Sequence, residues 1–128
     1  MATGVTMRAL IVDDSSFVRS YLRGLLEGKG VECSEAADGR AGLERLKNEP
    51  PFDVALLDWN MPVMGGLEML KTLRTEGFDK MKVMMVTIET ENEFIIRSLE
   101  AGADEFLMKP FDAEALNEKL ALLGIENL

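Results

Sequence analysis

The sequence contains no histidine and a single cysteine, Cys33, among its 128 residues. The lack of histidine excludes a Ser-His-Asp triad, a phosphohistidine and the usual zinc sites, and one cysteine cannot form an internal disulfide. Positive charge is also scarce, since 14 Lys and Arg stand against 23 Asp and Glu, for a net charge of −9. A nucleic-acid-binding protein needs a basic face to neutralise phosphates, so this balance argues against direct binding of nucleic acid.

Long apolar runs are missing as well. The longest have four residues, for example at Ala9–Val12, Val54–Leu57 and Val83–Val86, and therefore cannot span a bilayer. Met1–Gly4 lacks the charged and then apolar pattern of a secretory signal. With 47% hydrophobic and 29% charged residues, the composition is typical of a globular protein. We therefore expect a single cytoplasmic domain over residues 1–128, without membrane insertion and without an output domain.

Short apolar runs alternate with segments of helical periodicity. The runs begin at Ala9, Val31, Val54, Val83 and Phe106. Between them, apolar residues recur three and four positions apart, as on one helix face, for example at Val18, Tyr21, Leu22 and Leu25 and at Ile96, Leu99 and Ala103. Five strands alternating with five helices predict a parallel sheet covered on both faces, a doubly wound three-layer α/β sandwich.

Polar residues at the predicted helix starts agree with this reading. Asp38 and Asp112 are predicted N-caps of the second and fifth helices. Thr90–Glu93 has the pattern of a capping box, with Thr90 as the N-cap, and predicts the start of the fourth helix.

Acidic residues follow two strands at their carboxyl ends. Asp13 and Asp14 follow the first run and Asp58 follows the third. If these strands are neighbours the carboxylates converge, and at about 4 Å two such charges repel by about 1 kcal/mol in water and about 4 kcal/mol at an effective dielectric of 20. A hard divalent cation with oxygen ligands, Mg²⁺, would offset this repulsion.

Two further strand ends carry groups that can neutralise negative charge. Thr87 ends the fourth run and offers a hydroxyl, and Lys109 ends the fifth and offers an ammonium. An aspartate beside a cation, an ammonium and a hydroxyl can accept a phosphoryl group. Glu35, which ends the second run at the sheet margin, is expected to be solvated rather than a ligand.

Each of these residues also has an ordinary structural interpretation. Asp13 and Asp14 alone are as readily helix caps as ligands, Lys109 alone could be solvated, and Thr87 alone is a common strand residue. The combination at successive strand ends favours a site.

The motifs resemble the receiver domain of two-component response regulators over essentially the whole chain, in particular its CheY-like single-domain chemotaxis type. They are Asp13-Asp14, Asp58-Trp59-Asn60-Met61-Pro62, Gly65-Gly66, Thr87 and Lys109-Pro110. The resemblance implies a flavodoxin-like fold with strand order 2-1-3-4-5.

The resemblance also implies roles for the residues at the strand ends. Asp58 would be the phosphoryl acceptor, with Asp14 a direct Mg²⁺ ligand, Asp13 a ligand through water, and the main-chain carbonyl of Asn60 a further ligand. Lys109 would pair with the phosphoryl group, and its bond to Pro110 is expected to be cis.

A switch and its rate-setting residues are implied in the same way. Thr87 would move toward the phosphoryl group and allow the ring of Phe106 to move inward. The outer ring position is expected between the fourth and fifth helices, among Ile95, Ile96, Phe111 and Ala113, so a partner would bind the face made by helix four, strand five and helix five. Asn60, Ile88 and Glu89 are expected to set the reaction rates, with the bulky Ile88 restricting access to the acceptor.

The expected function is that of a stand-alone response regulator, phosphorylated by a sensor histidine kinase and binding a downstream protein such as a flagellar motor switch component. It would not be an enzyme acting on other substrates. One alternative is a phosphate-sink receiver without its own output, and another is a degenerate receiver that only binds proteins. A third, an Asp-nucleophile phosphatase of the haloacid dehalogenase type, is disfavoured because Asn60 replaces the second aspartate of the Asp-x-Asp motif.

Overall fold

The computed structural model describes residues 7–88 and 91–125, which alternate between strands and helices. The elements are β1 (Arg8–Val12), α1 (Ser16–Glu27), β2 (Glu32–Ala36), α2 (Gly39–Asn48), β3 (Val54–Leu57), α3 (Gly66–Thr75), β4 (Lys82–Thr87), α4 (Asn92–Glu100), β5 (Glu105–Met108) and α5 (Ala113–Leu122). The five strands form one parallel sheet in the order β2-β1-β3-β4-β5. The predicted flavodoxin-like topology is confirmed.

The two apolar runs predicted to be central strands are buried on both faces. Ala9–Val12 and Val54–Leu57 are at most 1% exposed, because helices cover the sheet on both sides. One core layer lies beneath α2 and α3 and includes Leu43 and Met69, and the other lies beneath α1 and α5 and includes Leu22. This burial fixes the strand ends that carry the polar residues.

Side-chain caps define the starts of three helices. Asp38 and Asp112 accept hydrogen bonds from main-chain N–H groups in the first turns of α2 and α5, which confirms both predicted caps. Ser15 caps α1. The predicted capping box is wrong in register, since the N-cap of α4 is Glu91, which forms no side-chain cap hydrogen bond, and Thr90 lies outside the described residues.

Two predicted helix faces differ from the observed ones. In α1 the fully buried residues are Leu22 and Leu26, whereas Tyr21 is 40% exposed at the margin of the packed face. In α4 both Ile96 and Leu99 are about half exposed, because this helix packs beside the edge strand β5, where the sheet beneath it is narrow.

Within the part of the chain that the structure describes, every helix falls short of the length and apolar character that a membrane span requires.

Candidate functional site

Three aspartates meet at the carboxyl edge of the sheet. β1 and β3 pair in parallel with Val12 opposite Leu57, so Asp13 and Asp58, the residues that follow, emerge side by side. Carboxylate oxygens of Asp13, Asp14 and Asp58 lie within 4.8 Å of one another. Asp13 and Asp58 are buried and Asp14 is exposed, so the cluster opens to solvent on one side.

Lys109 extends into this cluster from the end of β5. Its Nζ lies 2.7 Å from Oδ2 of Asp13 and 3.5 Å from Oδ1 of Asp58. The main-chain N–H of Lys109 donates to the carbonyl of Thr87, and the Lys109–Pro110 bond is cis as expected. Among residues 7–88 and 91–125, Lys109 is the residue that forms ion pairs with the aspartates of this cluster.

The surroundings of Asp58 disfavour its negative charge. Burial, and after it the neighbouring charge of Asp13, raise the pKa of Asp58 to about 6, although Lys109 acts in the opposite direction. A cation placed among the carboxylates would remove this repulsion and favour the ionised form of Asp58.

The donor set fits a small hard cation. Mg²⁺ binds oxygen at 2.0–2.1 Å, so two oxygens on opposite sides of one ion are about 4.2 Å apart, and the carboxylate oxygens here all lie within 4.8 Å of one another. Sparse carboxylate ligands completed by water are the arrangement that Mg²⁺ prefers. Asp13, Asp14 and Asp58 are therefore suited to hold it, and solvent can reach the exposed side of Asp14.

The other predicted site residues lie around this cluster. Thr87 is fully buried at the end of β4, on the strand next to β3, and Asn60 is exposed on the loop that follows Asp58. Both make interactions in the structure. Glu89 lies outside the described residues.

Close packing fixes the loop between Asp58 and α3. A Cβ atom on Gly66 would lie 2.0 Å from the carbonyl oxygen of Asp58, so only glycine allows α3 to begin so close to the cluster. The N–H of Gly39, at the start of α2, donates to the carbonyl of Met64 and holds the same loop from the other side. The Gly65-Gly66 pair was the sequence signal for this approach.

Ile88 lies at the rim of the site. Its side chain is 66% exposed and lines an apolar cleft with Phe17, Tyr21, Pro110 and Lys109. Lys109 thus lines this cleft and also pairs with Asp58 of the cluster.

An apolar groove lies between α4 and α5 on the outer side of β5. Phe106 is half-buried and lines it together with Ile95 and Phe111, as predicted. Leu99 and Ala115 line the groove in place of the predicted Ile96 and Ala113. The helical rotation of about 100° per residue turns Ile96 away from the groove, and it is 54% exposed.

The pairing of β4 with β5 relates Phe106 to the site. Met85 lies opposite Phe106 and Thr87 lies opposite Met108, so Thr87 and Phe106 are diagonal neighbours on one face of the sheet. A movement of the Thr87 side chain would therefore take place next to the ring of Phe106, which lines the groove.

The sequence pattern does not reveal the part played by Arg19, whose Nη1 donates from α1 to the main-chain carbonyl of Asp13. Glu35 lies outside the carboxylate cluster, as predicted, but it is only partly solvated, because its carboxylate forms ion pairs with Arg19 and Arg23 at 3.0 and 2.7 Å. No local pattern reveals these contacts, since they depend on how β2 pairs with β1.

Comparison with known proteins agrees with this geometry. The family model described as the response regulator receiver domain matches residues 9–121. The chain belongs to this receiver family. It is 41% identical to chemotaxis protein CheY-3 of Vibrio cholerae and 39% identical to chemotaxis protein CheY of Pseudomonas aeruginosa. Each match spans 116 residues and covers 89% of this chain, with 88% and 93% of the respective relative.

A solved structure extends the likeness to three dimensions. It is the CheX–CheY–BeF₃–Mg²⁺ complex from Borrelia burgdorferi, with a TM-score of 0.90 and 28% sequence identity. The match covers 97% of this receiver and 93% of that chain.

Proposed function

We propose that this receiver is a phosphorylation-controlled switch of a two-component chemotaxis pathway, with Asp58 as its phosphoryl acceptor and Mg²⁺ as its cofactor. The observation that carries the proposal is the convergence of three carboxylates, with Lys109 beside two of them, at one edge of the sheet. The family membership and the chemotaxis relatives support it.

The chemistry is a transfer of one phosphoryl group. An oxygen of the Asp58 carboxylate attacks phosphorus, the P–N bond of a phosphohistidine on the kinase breaks, and the released imidazole nitrogen takes up a proton. When bound, Mg²⁺ would neutralise charge on the phosphoryl oxygens. Lys109, 3.5 Å from Asp58, and Thr87 would stabilise the same oxygens. In dephosphorylation, water attacks phosphorus, the P–O bond to Asp58 breaks, and the Asp58 carboxylate and inorganic phosphate are released.

Asp58 must be ionised to attack. With its pKa at about 6 it is mostly ionised at pH 7.5, and a neighbouring cation would extend ionisation to lower pH. In this proposal the receiver catalyses only its own phosphorylation and dephosphorylation and is not an enzyme acting on other substrates.

The groove at Phe106 is the proposed route to a partner. Phosphorylation would draw Thr87 toward Asp58 and free space for the diagonal Phe106 ring, a two-state change at the wall of the groove. The proposed donor is a sensor histidine kinase, and the proposed output partner is a downstream protein such as a flagellar motor switch component. The Borrelia neighbour, a CheY solved with CheX, BeF₃ and Mg²⁺, supports binding of a protein partner in a metal-bound state.

Labelling with a radioactive small phosphoramidate tests the acceptor. We expect label on the wild type only when Mg²⁺ is present, no label on Asp58→Asn, and full label on the control Asp79→Asn, an exposed aspartate at the opposite edge. Full labelling of the wild type in excess chelator would refute the role of the metal.

Partner affinity tests the switch. A motor switch protein should bind the beryllofluoride-loaded receiver about 5- to 150-fold more tightly than the free receiver, the usual range for coupled sites. Phe106→Ala should reduce this ratio, whereas the control Phe78→Ala, a half-buried ring elsewhere, should not. An equal ratio in wild type and Phe106→Ala would show that Phe106 does not transmit the signal. Failure of any output protein to bind would favour the phosphate-sink function.

A further inference from the structure

A guanidinium group from α1 lies directly behind the acidic cluster. Nη1 of Arg19 donates to the main-chain carbonyl of Asp13 at 2.6 Å, and its Nε donates to Glu35 at 3.0 Å. The Arg19 side chain is only 18% exposed, so both contacts are sheltered from solvent. Neither residue belongs to the set that would touch the cation or the phosphoryl group.

Glu35 is itself held in place. It lies on β2 opposite Ile11 of β1, and its second oxygen accepts from Nη1 of Arg23 at 2.7 Å. The hydrogen bond from Arg23 holds the pKa of Glu35 below its usual value, and the bond from Arg19 acts in the same direction. Glu35 is therefore a charged anchor for Arg19 at neutral pH.

The carbonyl that Arg19 binds influences the orientation of two carboxylates of the site. It belongs to the peptide unit that joins Asp13 to Asp14, and this unit is planar. Fixing its plane fixes the torsion that follows Cα of Asp13 and the torsion that precedes Cα of Asp14. Both carboxylates therefore depend on the orientation of one peptide.

The other atoms of Asp13 are held by groups that cannot set this plane alone. Its N–H donates to the carbonyl of Ala36, Oδ1 accepts from the N–H of Ser15, and Oδ2 accepts from Lys109. The Lys109 contact is expected to change when a phosphoryl group is bound, because that ammonium then has a second anion to pair with. The contact from Arg19 is made to the main-chain carbonyl, not to the carboxylate, and does not compete with it.

We propose that Arg19, anchored by Glu35, is a positioning residue that orients the Asp13–Asp14 peptide so that both carboxylates face the divalent cation. The inference rests on the proposed function, since it takes Mg²⁺ as the ligand of the cluster. It extends the site to two residues that the motif at the strand ends does not include.

Direct Mg²⁺ titration of the unphosphorylated protein by calorimetry tests the role of Arg19. We expect Arg19→Met to weaken Mg²⁺ binding by about tenfold, the lower limit of the usual effect when a partner of a metal ligand is lost. A pure charge effect has the opposite sign, because removing a nearby cation would strengthen the binding of Mg²⁺. The direction of the change therefore separates positioning from electrostatics.

Two variants complete the experiment. Arg23→Met is the matched control, because Arg23 contacts Glu35, Glu27 and the carbonyl of Cys33 but not Asp13. Arg19 remains anchored in this variant, since it donates to the other oxygen of Glu35. The Mg²⁺ affinity of Arg23→Met should therefore stay within twofold of wild type, about 0.4 kcal/mol. Arg19→Lys retains the charge but cannot span both acceptors as a fork, so it should show an intermediate loss. If Arg19→Met does not fold, Arg19→Lys carries the test.

The outcomes distinguish this inference from the proposed function. Wild-type protein that binds no Mg²⁺ would overturn the proposed function itself. Wild-type binding with equal or tighter binding by Arg19→Met, or by Arg19→Lys where only that variant folds, would overturn the positioning role alone. Equal weakening in Arg19→Met and Arg23→Met would also overturn it, because that result would indicate a general loss of structure in α1.

Discussion

The two ends of the same sheet handle charge in opposite ways. At the amino end, Arg8 binds Glu32, Glu49 and the carbonyl of Pro50, and its guanidinium lies 4.3 Å from the ring centre of Phe52. At the carboxyl end, three carboxylates lie together, and the ammonium of Lys109 pairs with two of them, Asp13 and Asp58. One end pairs its charges and the other gathers charges of one sign.

A second arginine extends the contrast. Arg74 donates to the carbonyls of Phe78, Met81 and Gly102 and to the carboxylate of Asp104, which ties α3 to the entries of β4 and β5. The amino end therefore stabilises the fold. At the carboxyl end, burial and repulsion from the neighbouring carboxylates raise the pKa of Asp58. A cation bound among these carboxylates would offset the repulsion.

The largest effect is expected at the amino end. Arg74→Met should lower the free energy of unfolding by about 2–4 kcal/mol, because it leaves several sheltered carbonyl groups without their donor. Urea denaturation measures the change. In the control Arg45→Met, the half-exposed pair with Glu49 should contribute less than about 0.5 kcal/mol. A loss of Mg²⁺ affinity in folded Arg74→Met would contradict the separation of the two ends.

At the carboxyl end, removal of a charge should stabilise the protein. Asp58→Asn should raise the free energy of unfolding of the metal-free protein at pH 7.5 by about 1–3 kcal/mol, since one pKa unit corresponds to 1.36 kcal/mol. Added Mg²⁺ should stabilise the wild type more than the variant, and thus reduce the difference. Destabilisation by Asp58→Asn would mean that the carboxylates do not repel one another in the folded state.

The same difference should depend on pH. The pKa of Asp58 is raised from 3.8 to about 6, so between these values the folded state binds more protons than the unfolded state. The stability contributed by this group is fully present below about pH 4 and is lost as pH rises through about 6. The advantage of Asp58→Asn should therefore be largest above pH 7 and disappear near pH 4. A difference that does not vary with pH would exclude Asp58 as its source.

The smallest effect concerns the rim of the site. Because the Ile88 side chain is β-branched and lies beside Lys109, Ile88→Ala should speed both phosphorylation by a small donor and loss of the phosphoryl group. We expect increases below tenfold, or less than about 1.4 kcal/mol in activation free energy. Val63→Ala, an exposed side chain on the loop after Asp58, is the control. Unchanged rates for Ile88→Ala would show that this side chain does not restrict access.

Much of the fold was predictable from local patterns. The apolar runs at Ala9 and Val54 indicated central strands, and Asp38 and Asp112 indicated helix starts, because burial on two faces and N-capping are local requirements. The face of α4 was not predictable. Its periodicity suggested that Ile96 packs inward, but the neighbouring edge strand leaves that residue half exposed.

The sequence by itself determined that aspartates at the ends of two buried strands would be brought to one edge, because parallel strands end on the same side of a sheet. Tertiary structure alone decided the contact between Arg19 and the carbonyl of Asp13, and the anchoring of Arg19 by Glu35. The reason is physical. A hydrogen bond between a side chain and a main chain needs a direction and a distance of about 3 Å, and these follow from the pairing of β2 with β1 and the packing of α1.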